Sequence, residues 1–295
     1  MIKVLLITNP KSGILSYDDS LNNVISEFKK YNIEYTLSKT KYVAHAVELV
    51  KKTDLKQYDS VCAMGGDGTL FEVLNGMLTR TENERIPLSI IPNGTGNSFM
   101  KTVGIENVVD AVRKISKNEP KKVDMMKAVC GENIYYSLNL IGWGMATDIS
   151  VLAEKLRFFG GQRYNIASVF EIIKNKRRDS KLIVDGKERD GAFSFIIACN
   201  TKYVGKDMKM APKAKIDDGE IDLIIVKKTS SFTLFSVFPK LFDGSHIDHD
   251  ACDYIHCKSF SIQPREHGSL NIDGEIIGST PVSVNIVKNG VELIV

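Results

Sequence analysis

Three things are scarce in this 295-residue chain, and each scarcity closes off a class of protein. No apolar run approaches the ~18 residues a membrane-spanning helix requires, and the opening run Val4-Leu5-Leu6-Ile7 is too short for the core of a secretory leader. Cysteine is sparse and odd in number. Cys62, Cys130, Cys199, Cys252 and Cys257 mostly sit inside strand-like apolar runs, which argues against a disulfide framework and predicts reduced thiols. An excess of one charge is also lacking: 39 Lys+Arg face 36 Asp+Glu, so no nucleic-acid partner is expected, while a net charge of +3 is compatible with an anionic membrane surface. What remains, 43% hydrophobic and 25% charged residues, is the composition of an ordinary soluble globular protein, expected in the cytoplasm.

Length favours two domains, since 295 residues exceed the ~150 of a typical one. From residue 1 to about 125, short apolar strands alternate with helical periods, the pattern of a parallel sheet covered by helices. Ile2 to Thr8, Ile33 to Ser38, Ser60 to Met64 and Leu88 to Ile91 read as strands; Leu21, Val24, Ile25 and Phe28 mark a helix face, and helices are expected over Val43–Val50 and Leu70–Leu78. From 126 to 295 many short strands are separated by Asp-Gly or Asn-Gly turns at 185–186, 218–219, 273–274 and 289–290, which predicts a β-sandwich. A long helical segment, about Val151 to Asn175, and a shorter one, Phe232 to Phe242 interrupted by Pro239, are the exceptions. No repeat or low-complexity linker separates the halves, so they are expected to pack around a cleft.

Chemistry is concentrated where strands run into Gly-, Asn- and Ser-rich loops: Asn9-Pro10-Lys11-Ser12-Gly13, Gly65-Gly66-Asp67-Gly68 and Pro92-Asn93-Gly94-Thr95-Gly96-Asn97. Glycine lets backbone N–H groups approach phosphate oxygens, and the following helix N-terminus adds a partial positive charge. Three such loops after successive strands favour a nucleotide-phosphate site over simple strand termination, and no Gly-x-x-x-x-Gly-Lys-Ser/Thr sequence marks a P-loop. His246, His249, Cys252, His256 and Cys257 could suggest zinc, but the spacing fits no common ligand pattern and strand alternation points His256 and Cys257 to opposite faces.

These loops, with Thr40, the run from Asp67 to Gly76, Ala211-Pro212-Lys213-Ala214-Lys215, Asp217-Asp218-Gly219-Glu220-Ile221-Asp222 and Asp273-Gly274-Glu275, resemble the diacylglycerol/sphingosine lipid kinase family over nearly the whole chain. The resemblance implies a phosphofructokinase-like α/β nucleotide domain over 1–125 and a β-sandwich lipid-substrate domain over 126–295, with ATP and Mg²⁺ as cofactors. It implies that Asn9, Ser12, Thr40, Gly66, Gly68, Glu72, Gly94 and Thr95 surround ATP, joined by Arg157, Arg163 and Glu275. Pattern alone leaves it open whether the two arginines meet phosphates or form a solvated helix face. Phosphorylating an alcohol needs a carboxylate to take its proton. Asp67 is the expected base, with Asp273 the alternative catalytic residue or a metal ligand.

The stretch Gly142-Trp143-Gly144 through Asp148, with Glu154-Lys155-Leu156-Arg157, looks like the sphingosine and ceramide kinase branch, and implies lipid contacts at Asp148, Ser150, Phe159 and Ile166. A sphingoid base is therefore the first expected acceptor, with diacylglycerol or ceramide as alternatives. An NAD-kinase-like enzyme is the rival of another class, disfavoured by Asn93-Gly94-Thr95-Gly96-Asn97. The departure is Ser150, which stands where sphingosine kinases carry the acid that recognises the lipid amine. The lipid would be met by peripheral association with a membrane; monomer and homodimer are both left open.

Overall fold

A computed structural model describes all residues except 14–15, 81–84, 95–96 and 206–207. The chain forms two units, Met1–Val123 with Asn289–Val295, and Asp124–Lys288.

The first unit contains β1 (Ile2–Thr8), α1 (Tyr17–Lys30), β2 (Ile33–Lys39), α2 (His45–Lys52), β3 (Ser60–Gly65), α3 (Asp67–Leu78), β4 (Leu88–Pro92), α4 (Ser98–Thr102) and α5 (Val108–Lys117). Their periodicity explains their packing. Leu21, Val24 and Phe28 of α1 and Ala111, Val112 and Ile115 of α5 are the buried faces of amphipathic helices, whereas β3 is buried along its whole length, as a strand covered on both sides must be. The strands pair in parallel in the order β2-β1-β3-β4. Because β2 lies on one side of β1 and β3 on the other, the chain reverses lateral direction here, and the carboxyl ends of β1 and β3 form a topological switch point. Helix α2 begins two residues later than the periodicity predicts, because Ala44 adopts φ 66° and Val43 is exposed.

The chain enters the second unit along β5 (Lys121–Cys130) and leaves it along β15 (Val282–Ile294); between them lie β6 (Asn133–Ser137), β7 (Leu140–Gly144), α6 (Met145–Lys155), α7 (Arg163–Lys174), β8 (Arg178–Val184), β9 (Lys187–Cys199), β10 (Ile221–Lys227), α8 (Ser231–Val237), α9 (Lys240–Asp243), β11 (Cys252–Cys257), β12 (Ser259–Pro264), β13 (Ser269–Ile272) and β14 (Glu275–Ser279). The long β9 organises it. Its first half pairs with β8 and its second half with β7 on one side and antiparallel β10 on the other, so one strand joins all three. Helices α6 to α9 cover one face, where Met145, Ile172, Leu234 and Leu241 meet Phe195, Ile197, Ile224 and Val226.

Two features differ from the sequence reading. The helical stretch expected over Val151–Asn175 is two helices, because Gly160 at φ 56°, ψ −130° breaks it and a short 3-10 turn, Arg157–Gln162, intervenes. Asn289-Gly290 makes no hairpin: Asn289 takes φ 52° inside the continuous strand β15. Beyond it Leu293 and Ile294 pair in parallel with Leu88 and Ser89 of β4, within the first unit. Asp185-Gly186 and Asp273-Gly274 do make two-residue hairpins with positive φ at both positions.

Candidate active site

At the carboxyl edge of the parallel sheet the loops are knitted together by backbone. Thr40 N–H donates to Thr8 O (2.8 Å), Asn93 N–H to Gly65 O (3.0 Å) and Asn9 N–H to Met64 O (3.4 Å). Asn9 Oδ1 accepts from Lys11 N–H, and Ser12 folds back on Asn9 O through its N–H and its hydroxyl (2.7 Å), closing a tight turn. Glycine is required at two contacts. A Cβ at Gly94 would stand 2.8 Å from Gly66 N and closer still to its Cα, and one at Gly13 (φ 97°) would meet Asn93 O at 2.8 Å. Asn9, Ser12, Thr40, Gly66, Gly68 and Gly94 therefore come together beside the N-terminus of α3, where amide groups and helix dipole suit an anion. Thr95 lies outside the described residues.

The two acidic residues of α3 organise neighbouring helices. Asp67, half-buried at its first position, accepts from Ser98 N–H (3.0 Å) and Phe99 N–H (3.4 Å), holding the start of α4. Glu72 accepts from Ala44 N–H (2.8 Å) and Ala46 N–H (3.0 Å), so it holds the start of α2 and the loop that carries Thr40. The sequence reading made Glu72 a nucleotide contact; both of its oxygens are engaged by backbone amides.

Asp273 receives a role unlike the one expected. At φ 51° it opens the β13–β14 hairpin, and its buried carboxylate accepts from Ser137 Oγ (2.6 Å), Leu138 N–H (2.9 Å), Asn139 N–H (2.9 Å) and Leu140 N–H (2.8 Å). Burial pushes its pKa up, and these four donors pull it back. A carboxylate clamped in this way ties the β6–β7 turn to the hairpin. It fits neither a general base nor a Mg²⁺ ligand, so no step is assigned to a metal there. Glu275 follows, exposed at the start of β14.

In α6, Asp148 is ion-paired to Arg178, a residue that is only 10% exposed and that the basic run Lys176-Arg177-Arg178 does not single out by sequence. Burial raises the Asp148 pKa and the Arg178 guanidinium opposes the rise. Ser150 donates to Ala146 O (3.2 Å) and accepts from Asn271 Nδ2 (2.9 Å), another partner that sequence could not nominate. Arg157 and Arg163 converge on a single carboxylate, Glu154; Arg163 approaches it at 3.5 Å and lies over the Tyr164 ring. Phe159 is exposed and stacked on Phe158 (4.2 Å between centroids), while Ile166 is partly buried on α7.

The histidine and cysteine cluster is dispersed. His246 is buried with its ring nitrogens against Met210 O (3.0 Å) and Lys240 O (3.3 Å), and burial lowers its pKa. His256 is exposed beside Glu220 and Asp222, whereas Cys257 points inward, where burial pushes its thiol up to about 12. Among the described residues no three or more His, Cys, Asp or Glu are grouped to hold a metal ion.

Comparison with known proteins places this geometry. Residues 3–128 match the diacylglycerol kinase catalytic domain, and residues 139–295 match the YegS C-terminal NAD kinase beta sandwich-like domain. The chain is 30% identical to diacylglycerol kinase of Staphylococcus saprophyticus over 98% of its own length and 93% of the relative's. It is 26% identical to sphingosine kinase 1 of Arabidopsis thaliana over 93% and 68%. A crystal structure of a diacylglycerol kinase from Bacillus anthracis superposes with a TM-score of 0.80 at 26% identity, covering 99% of this chain and 96% of that one. An NAD kinase from Archaeoglobus fulgidus, 13% identical with a TM-score of 0.51, shares the fold. A parallel nucleotide domain with glycine-cradled loops, followed by a β-sandwich and matched along its length in this way, makes the chain a member of the diacylglycerol/sphingosine lipid kinase family, an ATP-dependent kinase.

Proposed function

We propose that the protein transfers the γ-phosphoryl group of ATP to the free hydroxyl of a neutral glycerolipid of the diacylglycerol class. The acceptor oxygen forms a bond to γ-phosphorus, the bond from that phosphorus to the β,γ-bridging oxygen breaks, ADP leaves, and the acceptor's proton passes to Asp67. Asp67 is the choice because it stands between the glycines of the phosphate loop, whereas Asp273 is committed to four protein donors. Arg157 and Arg163 supply cations to the phosphates. Their shared pairing with Glu154 is solvent-accessible and so weak enough to exchange for phosphate oxygens.

The observation that carries the choice of lipid is the Asp148–Arg178 pair. A protonated amine entering an apolar site needs a charge partner, because an unpaired buried ammonium costs several kcal/mol. Asp148 already has its cation, and Ser150 offers a hydroxyl engaged with Asn271. Neither pattern serves an ammonium; both suit a neutral acceptor. Incubation with labelled ATP and diacylglycerol, ceramide or sphingosine in mixed micelles tests this. Diacylglycerol should be phosphorylated fastest, and a preference for sphingosine would overturn the assignment.

A further inference from the structure

Helix α7 is amphipathic in the wrong sense for a soluble protein. Its buried side consists of Ala167, Ser168, Glu171 and Ile172, whereas Ile166, Val169, Phe170 and Ile173, spaced i, i+3, i+4, i+7, lie on the other side. Phe170 is 60% and Ile173 65% exposed. The apolar stripe continues onto α8, which carries no charged residue and exposes Phe232 (85%) and Phe235. The two helices are fastened to each other: Asn175 Nδ2 donates to Thr229 O (3.0 Å) and Ser231 Oγ donates to Ile172 O (2.8 Å), holding Ile173 and Phe232 at one corner of the unit. Exposed aromatic patches of this kind mark an interaction surface.

We infer that the α7–α8 face docks on an anionic lipid bilayer, with Phe170, Ile173 and Phe232 entering the acyl boundary. The charge around it selects this occupant. From Val151 to Arg178 the sequence has seven Lys and Arg against two Glu, an excess absent from the chain as a whole. Lys176 and Arg177 follow the end of α7, both are exposed, and their carboxylate partners Glu266 and Asp179 are exposed and half-buried, so the pairs are readily exchanged for lipid phosphates. An apolar face flanked by basic residues is the arrangement of an interfacial helix. The inference rests on the lipid-kinase reading for its purpose, since a membrane-resident acceptor requires the enzyme to reach the bilayer, but binding to vesicles without substrate tests it separately.

The experiment is flotation of the full chain with vesicles containing neither acceptor nor ATP, made of phosphatidylcholine alone or of an equal mixture with phosphatidylglycerol. The protein should float with the mixed vesicles and be released by salt. A Phe170→Ser, Phe232→Ser double variant should bind at least about tenfold more weakly, the loss expected for removing two inserted side chains. A Lys176→Glu, Arg177→Glu variant should lose the preference for the anionic vesicles. Turnover of a water-soluble short-chain acceptor should stay at the wild-type value in both, while turnover of a vesicle-borne acceptor falls with binding. Flotation unchanged in both variants would overturn the inference. So would an equal loss of turnover on the soluble acceptor, which would make this face part of the acyl slot. Conversion of a wild-type dimer to monomer in the aromatic variant would overturn it too, by making the face an interface between copies.

Discussion

Two Asp-Gly dipeptides, one in each unit, read alike in the sequence and work differently in the fold. Asp67-Gly68 begins a helix at the end of a parallel strand, with the aspartate half-buried and turned toward the first amides of α4. Asp273-Gly274 is the two-residue turn of an antiparallel hairpin, with φ 51° and 95°, and its carboxylate is sealed among four donors. Parallel strands end at a common edge where loops converge, so a side chain there faces a place for ligand. A hairpin turn has no such edge, and its polar side chain is free to satisfy neighbouring backbone. Identical local chemistry thus leaves one carboxylate half-buried at the sheet edge and seals the other inside a turn.

The strongest way to break this comparison is Asp273→Ala. Four donors lose their acceptor at about 1 kcal/mol each, and alanine is strained at φ 51°, so denaturant unfolding should show a loss of about 4 kcal/mol. Folded Asp273→Ala molecules should keep their turnover; a stable but inactive variant would return Asp273 to the chemistry. Asp67→Asn is next, with the opposite signature. Turnover should fall at least ~10²-fold while stability drops by about 1 kcal/mol, because the amide can no longer accept from both Ser98 and Phe99 N–H. Normal turnover in this variant would remove Asp67 as base.

Gly94→Ala sharpens the picture of the phosphate loops. Its methyl would collide with Gly66 backbone, so the loops must separate, at a cost of about 2 kcal/mol and with a raised KM for ATP measured by initial rates. Glu72→Gln should have the smallest effect, about 1 kcal/mol, since one of the two amides held at the start of α2 loses its acceptor. If Glu72 acts by holding the loop rather than by touching nucleotide, Glu72→Asp, too short for both amides, should raise the KM for ATP more than Glu72→Gln does. The reverse order would point to direct contact.

Much of the first unit was legible because its signals are local. Near-continuous apolar runs over Ile2–Thr8 and Ser60–Met64, too short for helices and bounded by turn residues, read as strands covered on both faces, and the glycine loops that follow them are contiguous in sequence. The second unit hid more, because its decisive partners are distant. Nothing near Asp148 in the chain announces Arg178, nothing near Ser150 announces Asn271, and the donors to Asp273 lie more than a hundred residues away. The break at Gly160 was missed for a different reason: apolar periodicity continues across it, while a single backbone conformation ends the helix.

Strand positions, helix faces and the glycine-rich loops of the first unit follow from residue type and spacing, since hydrophobic burial and glycine's freedom act over a few residues. Family membership follows from the ordered set of those motifs. Which donors hold Asp67 and Asp273, which cation holds Asp148, and that the apolar side of α7 faces outward were decided only when distant segments met, because a carboxylate's surroundings depend on the donors that the fold brings to it and a side chain's exposure on what packs against it.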